Sequence, residues 1–163
     1  MDERNTCSRM ELTLQNSINI ILQQNAQILN QELEWLREVI HVRLALHFEQ
    51  ETSYQSIDQL PVPYVLDAEG SYADFVREHR LSVEERLVLI LALIPHLKPG
   101  LLDVMLTKNH DYDRRYSEFG GVLLDGHLGL VPTAETAMFI LAGEDLEKRL
   151  YYQHIFNSQH PFF

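Results

Sequence analysis

The sequence is short of thiols, of glycine-rich signatures and of positive charge. Its one cysteine, Cys7, has no second thiol with which to form an internal disulfide or share a zinc ion, and the chain therefore reads as one from a reducing compartment. The first eleven residues, MDERNTCSRME, are charged and hold no apolar core of a secretory signal, so the expected location is cytoplasmic. The longest apolar run, Leu87 to Ile94, is less than half of what a bilayer-spanning helix needs and follows directly on Glu84, Glu85 and Arg86. No membrane span is expected. Neither G-x-x-x-x-G-K-[ST], G-x-G-x-x-G nor G-x-S-x-G occurs, which leaves the phosphate loop, the dinucleotide turn and the hydrolase elbow without their sequence element. Thirteen Lys and Arg stand against 24 Asp and Glu, a formal charge of −11 that repels phosphate backbones and anionic lipid. Neither nucleic acid nor membrane is an expected partner.

What remains is mostly helical. With 163 residues, 45% of them apolar, the chain can bury a core as one domain with a helical extension or as two small helical units. Ser82 and Glu85 form a capping box at the head of SVEERLVLILALI, and the run from Leu87 to Ile94 implies a helix buried on every side. From Leu12 to Phe48 apolar residues recur at helical spacing, among them Leu14, Ile18, Ile21, Leu22, Ile28, Leu33, Leu36, Val39, Ile40 and Leu44. Asn25 interrupts the stripe and Asn30 can cap a second helix, so one long helix and two meeting near Asn25 to Asn30 are both open, with two preferred. The stripe packs on the domain or serves as a dimer or partner-helix seam, although Glu32 and Arg43 intrude and the heptad is not kept strictly. Residues 49–70 lose periodicity around Pro61 and Pro63 and mark the best boundary, with enough apolar residues to lie along a groove. Ser71 can cap a short helix to Arg80 that buries Tyr72, Phe75 and Val76.

Beyond the central helix, Pro95 breaks the direction and Pro99 suits the first turn of a helix carrying Leu101 to Leu106, giving a helix-turn-helix-like pair. Asp125-Gly126 between two apolar runs predicts a β-hairpin near 121–131, with Gly120-Gly121 at its entry. Pro132-Thr133 opens a buried helix that Gly143 ends, and a last helix from Glu144 to Phe156 turns Leu146, Leu150 and Ile155 inward, with Glu144–Lys148 and Asp145–Arg149 pairs outside. The tail SQHPFF ends on two aromatics, which implies that the natural chain continues. The expected organisation is a polar tail at 1–11, a helical lead-in and Pro-containing connector at 12–70, and a compact helical domain at 71–163. The expected class is mainly α (α+β), a helical bundle with a helix-turn-helix or winged-helix-like unit and one β-hairpin.

Chemistry is sparse. His110-Asp111 is the adjacent pair that metal-dependent phosphohydrolases use to bridge cations, with His41, His79, His96 and Asp145 as candidate partners, yet it lies in a polar turn and not on a helix facing a cavity. His41 and His47 are off the spacing that sets two ligands on one helical face. No catalytic, cofactor-binding or metal residue is assigned and no cofactor is expected. The densest charged cluster is Asp111, Asp113, Arg114, Arg115 and Glu118, a salt-bridged loop that Tyr112, Tyr116 and Phe119 would anchor to the core. Tyr112, Arg114, Arg115 and Tyr116 are the candidate partner contacts. The helix from Thr133 to Gly143 has no basic residue, against what a DNA-reading winged helix needs.

Three segments, LSVEERLVLILALIPHLKPGLLDVMLTKN, YDRRYSEFGG and LVPTAETAMFILAGEDL, occur in an order that resembles the N-terminal accessory region of a family of bacterial AAA-type ATPases. In that family such segments precede a winged-helix-like module and the ATPase core, and some members are associated with contractile injection systems. The resemblance covers about half the chain, from Leu81 onward. The Walker lysine loop and its acidic partner are missing, so no ATP-binding or catalytic residue carries over. What the resemblance implies is a non-catalytic protein-interaction or regulatory domain, with protein partners or the ATPase core of the same full-length chain as ligands and a homo-oligomer as one possible state. The alternatives are a free-standing winged-helix transcription regulator and a His-Asp metal-dependent phosphohydrolase.

Overall fold

The computed structural model describes residues 3–126 and 129–162, with side chains from residue 14 onward. It is mainly α, and a single two-stranded antiparallel sheet occurs among the described residues. Helix α1 runs unbroken from Glu3 to His47, so the residues expected as a polar tail are helical backbone from Glu3 and neither Asn25 nor Asn30 divides the helix. The reason at Asn25 is that its side chain is committed elsewhere: Oδ1 accepts the backbone N–H of Tyr72 at 3.0 Å and does not compete for its own backbone. Two compact units are built from non-consecutive stretches, Met1–Glu32 with Pro63–Arg80, and Leu33–Val62 with Leu81–Phe163.

In the first unit, helix α2 spans Ser71–Glu78. Its N-cap is Gly70 and not Ser71, and the acceptor for its first turn comes from Asn25 of α1. Only glycine fits at 70, because φ is +127° and a Cβ there would stand 2.8 Å from the Asn25 side chain. Glu32 is 0% exposed and accepts from the Tyr72 hydroxyl at 2.8 Å, a buried carboxylate that a hydroxyl donor helps to satisfy. Val65, Ala73 and Val76 complete this small core. Arg77 donates to the carbonyls of Leu66 and Ala68 at 2.8 and 2.7 Å, tying the connector down beside α2.

The second unit is organised on the end of α1 and on helix α3 (Val83–Leu97). The capping box is present, with Glu85 N–H donating to Ser82 Oγ at 3.2 Å and Ser82 N–H donating to Glu85 Oε2 at 2.6 Å. Pro95 lies inside α3, which continues to Leu97; the direction changes at Lys98, where a 3₁₀ helix, Pro99–Leu106, sets off at 103°. Burial of α3 is not complete: Leu87, Val88, Ile90, Leu91 and Ile94 are inside, but Ala92 is exposed and Leu89 and Leu93 are half-buried. Helix α4 (Ala134–Ala142) is buried from Thr136 to its end and stops at Gly143 with φ +58°. Arg43, the basic residue within the stripe, donates from Nε to Ile140 O at 2.8 Å and from Nη2 to Leu141 O at 3.0 Å, filling the carbonyls that the end of α4 leaves open.

The hairpin sits elsewhere than 121–131. Strands β1 (Lys108–Asn109) and β2 (Arg114–Arg115) pair antiparallel, Lys108 with Arg115 and Asn109 with Arg114. At the expected place Val122 and Val131 alone pair among the described residues, exchanging both N–H···O bonds at 2.9 Å. On the first arm Leu123 and Leu124 are both exposed, so burial does not hold that arm in a longer register. His127 and Leu128 lie outside the described residues. Helix α5 (Leu146–Tyr152) exposes Leu146 and Leu150 where inward side chains were expected, and Ile155 alone of the three is buried. Asp145 serves as its N-cap, accepting from Lys148 N–H at 3.1 Å, while Lys148 Nζ reaches Asp58 at 3.1 Å and Arg149 pairs with Glu135.

Candidate functional site

The sequence-derived contact residues fall in and just after the β1–β2 hairpin. Asn109 Oδ1 accepts the N–H of Asp111 at 2.9 Å, an Asx turn that starts the reversal, and Asp113 completes it with φ +47°, a conformation that Asp tolerates better than most residues. Lys108 Nζ lies 3.3 Å from Asp113 Oδ1 across the turn. The geometry leaves Tyr112 70% exposed at the turn, with the Arg114 guanidinium 5.5 Å from its ring centroid. That spacing is a cation–π contact. Tyr112 therefore does not anchor the loop to the core.

Anchoring falls to the residues that follow. Tyr116 stacks on Phe119 at 5.0 Å and meets Phe48 edge-on at 5.1 Å, and Phe119 packs on Phe139 at 4.7 Å. His47 completes the cluster, with Nε2 3.4 Å from Glu118 and Nδ1 3.7 Å from Glu144. Tyr112 and Arg114 are thus brought together at the surface, whereas half-buried Tyr116 belongs to the aromatic base and Arg115 is half-buried on β2. His47 was missed as a member of this region. Its neighbours Glu118 and Glu144 are far along the chain, and no local spacing announces them.

The His110-Asp111 pair is exposed at the same turn. Among the described residues no group of three or more His, Cys, Asp or Glu side chains is placed to hold a metal ion, so His41, His79, His96 and Asp145 do not complete a site around it. A shallow cavity of about 260 Å³ is lined by Arg37, Ile40, His41, Leu44, Gly100, Leu101 and Val104, with its apolar wall shared by α1 and the 3₁₀ helix. This is below the usual range for a small-molecule pocket.

Two carboxylates are held as anions by their partners. Burial alone would raise Asp58, but hydrogen bonds from Ser56 and Lys148 and the charges of Lys148 and Arg43 bring it below its ordinary range. Glu85 behaves alike: burial is outweighed by hydrogen bonds from His160 and Ser82 and by the His160 charge. Both serve the fold, since each ties distant segments of the second unit together. Among the described residues no single helix is long and apolar enough to cross a membrane. No protein-family model matches the chain, and neither a curated protein nor a solved structure matches it.

Proposed function

We propose that the chain is a non-catalytic protein-binding domain that docks a partner protein on the tip of the β1–β2 hairpin. The observation that carries this reading is the pairing of an exposed tyrosine, Tyr112, with a guanidinium already held over its ring, Arg114. Tyrosine and arginine supply much of the binding energy at protein interfaces, and a side chain ordered beforehand loses less freedom on binding. Lys108–Asp113 and the Asx turn hold the tip in place, and the aromatic cluster beneath fixes where it stands. In the setting implied by the AAA-type resemblance, the partner is a protein whose engagement is conveyed to an ATPase core.

A photoreactive phenylalanine analogue at position 112, introduced in cells, tests this. One discrete cross-linked protein species is expected, lost when Arg114→Ala is added and absent when the analogue stands at exposed Tyr64. Equal labelling at 64 and 112 would remove the hairpin from consideration, and turnover of a nucleotide or phosphoester by the homogeneous chain would overturn the non-catalytic reading.

A further inference from the structure

The uncovered face of α1 between Leu14 and Leu22 has a chemistry that its own chain does not explain. Leu14, Ile18, Ile21 and Leu22 are between 43% and 64% exposed, on a helix whose residues 14–23 are all exposed. Leu14, Ile18 and Ile21 alternate at spacings of four and three, and the same alternation continues through Asn25, Ile28 and Glu32. It is one face, with Leu22 on its flank; Ile20 points away from it.

Along this face the apolar side chains are most exposed where no other segment reaches them. The part at 25–32, which Gly70 and Tyr72 cover, carries half-buried Asn25 and buried Glu32, each bonded to Tyr72, with buried Ile28 between them. The bare part carries Leu, Ile and Ile. An apolar row that continues a covered row and is itself left bare over three positions indicates that the bare part is covered by something else.

Charge narrows what that is. From Leu12 to Gln31 there is no charged residue, in a chain where 23% of residues are charged. The positions flanking the seam are Gln15, Ser17, Leu22 and Gln24. In helix-to-helix pairing the choice of a foreign helix is made through charges at these positions, and none is present. A membrane-surface helix carries Lys or Arg on its polar face, and those are absent too. A second copy of this chain is the occupant that fits: it offers the same apolar rows, amides that can bond to amides, and no like charge opposite like charge in a molecule that otherwise repels itself at −11.

We propose that residues 14–22 of α1 form the contact of a homodimer, helix against the same helix of a second copy. Sedimentation equilibrium of the full chain from about 1 to about 200 µM spans the affinity range in which a short helical seam associates. The mass is expected to rise with concentration from that of the 19.0 kDa monomer to twice that value. Ile18→Asp with Ile21→Asp abolishes the rise, and because both side chains are exposed in the monomer the thermal melt by circular dichroism at about 1 µM, where wild type is also monomeric, is unchanged. The uncharged pair Ile18→Gln with Ile21→Gln, which keeps helix propensity, gives the same loss should the aspartates disturb the helix. Wild type remaining monomeric throughout overturns the proposal, as does a dimer that survives either double variant.

Discussion

Glu85 does two jobs with one carboxylate: Oε2 closes the capping box of α3, and Oε1 meets His160 Nε2 at 2.7 Å. The first job was legible because Ser82 and Glu85 are three apart. The second was not, since His160 stands 75 residues away and nothing local marks it. Gly70 was unread for the same reason; its partner Asn25 lies on another element. The folded carboxyl of Glu85 sits below its ordinary value of 4.5. Its ionised contacts therefore stabilise the fold fully above that pH, and the contribution is lost as pH falls through the folded value. Glu85→Gln keeps an acceptor for the cap but loses the charge, and should cost about 1 kcal/mol at neutral pH. In urea unfolding the gap between wild type and variant should close as pH is lowered below 4.5. A gap that stays constant into acid would mean the pairing with His160 is not ionic.

Among the elements, helices with local punctuation were read well: α3 from its capping box, and α4 from Thr133 and Gly143. Elements decided by remote partners were not. Asp125-Gly126 is a strong local turn signal, yet with Leu123 and Leu124 both exposed the pairing among the described residues is the single bridge Val122–Val131, while the hairpin at 108–115 has no apolar alternation to read. The candidate site was half legible: residue types named Tyr112 and Arg114, but only the fold separates them from Tyr116, which is part of the base. Helix α4 gives the sharpest test of remote support. Its last carbonyls, Ile140 O and Leu141 O, are met by Arg43, whose own pKa is lowered by burial, against the raising influence of Asp58 and Tyr152, without ceasing to be a cation. Arg43→Met leaves both acceptors buried without that donor and should cost about 1–3 kcal/mol. Arg43→Lys should recover only part, because one ammonium cannot reproduce the planar fork that meets two carbonyls. Urea midpoints of the three proteins decide it, and equal midpoints would show that the end of α4 needs no donor from α1.

At the scale of the whole molecule the dominant quantity is the charge of −11, and it fixes the sign of a salt effect. Two copies brought together through an uncharged seam gain apolar burial from the contact and lose electrostatic free energy from everything around it. Added salt screens the repulsion, with a Debye length shrinking from roughly 14 Å at 0.05 M to roughly 4 Å at 0.5 M, and leaves the apolar contact untouched or slightly strengthened. The self-association constant should therefore rise a few-fold over that span of sodium chloride, measured by the same sedimentation experiment. A partner held by Lys and Arg against these 24 acidic residues would behave in the opposite way and weaken with salt. Self-association that weakens with salt would mean that charged residues outside 12–31 make the contact, and the bare face of α1 would then have to be covered by a different molecule.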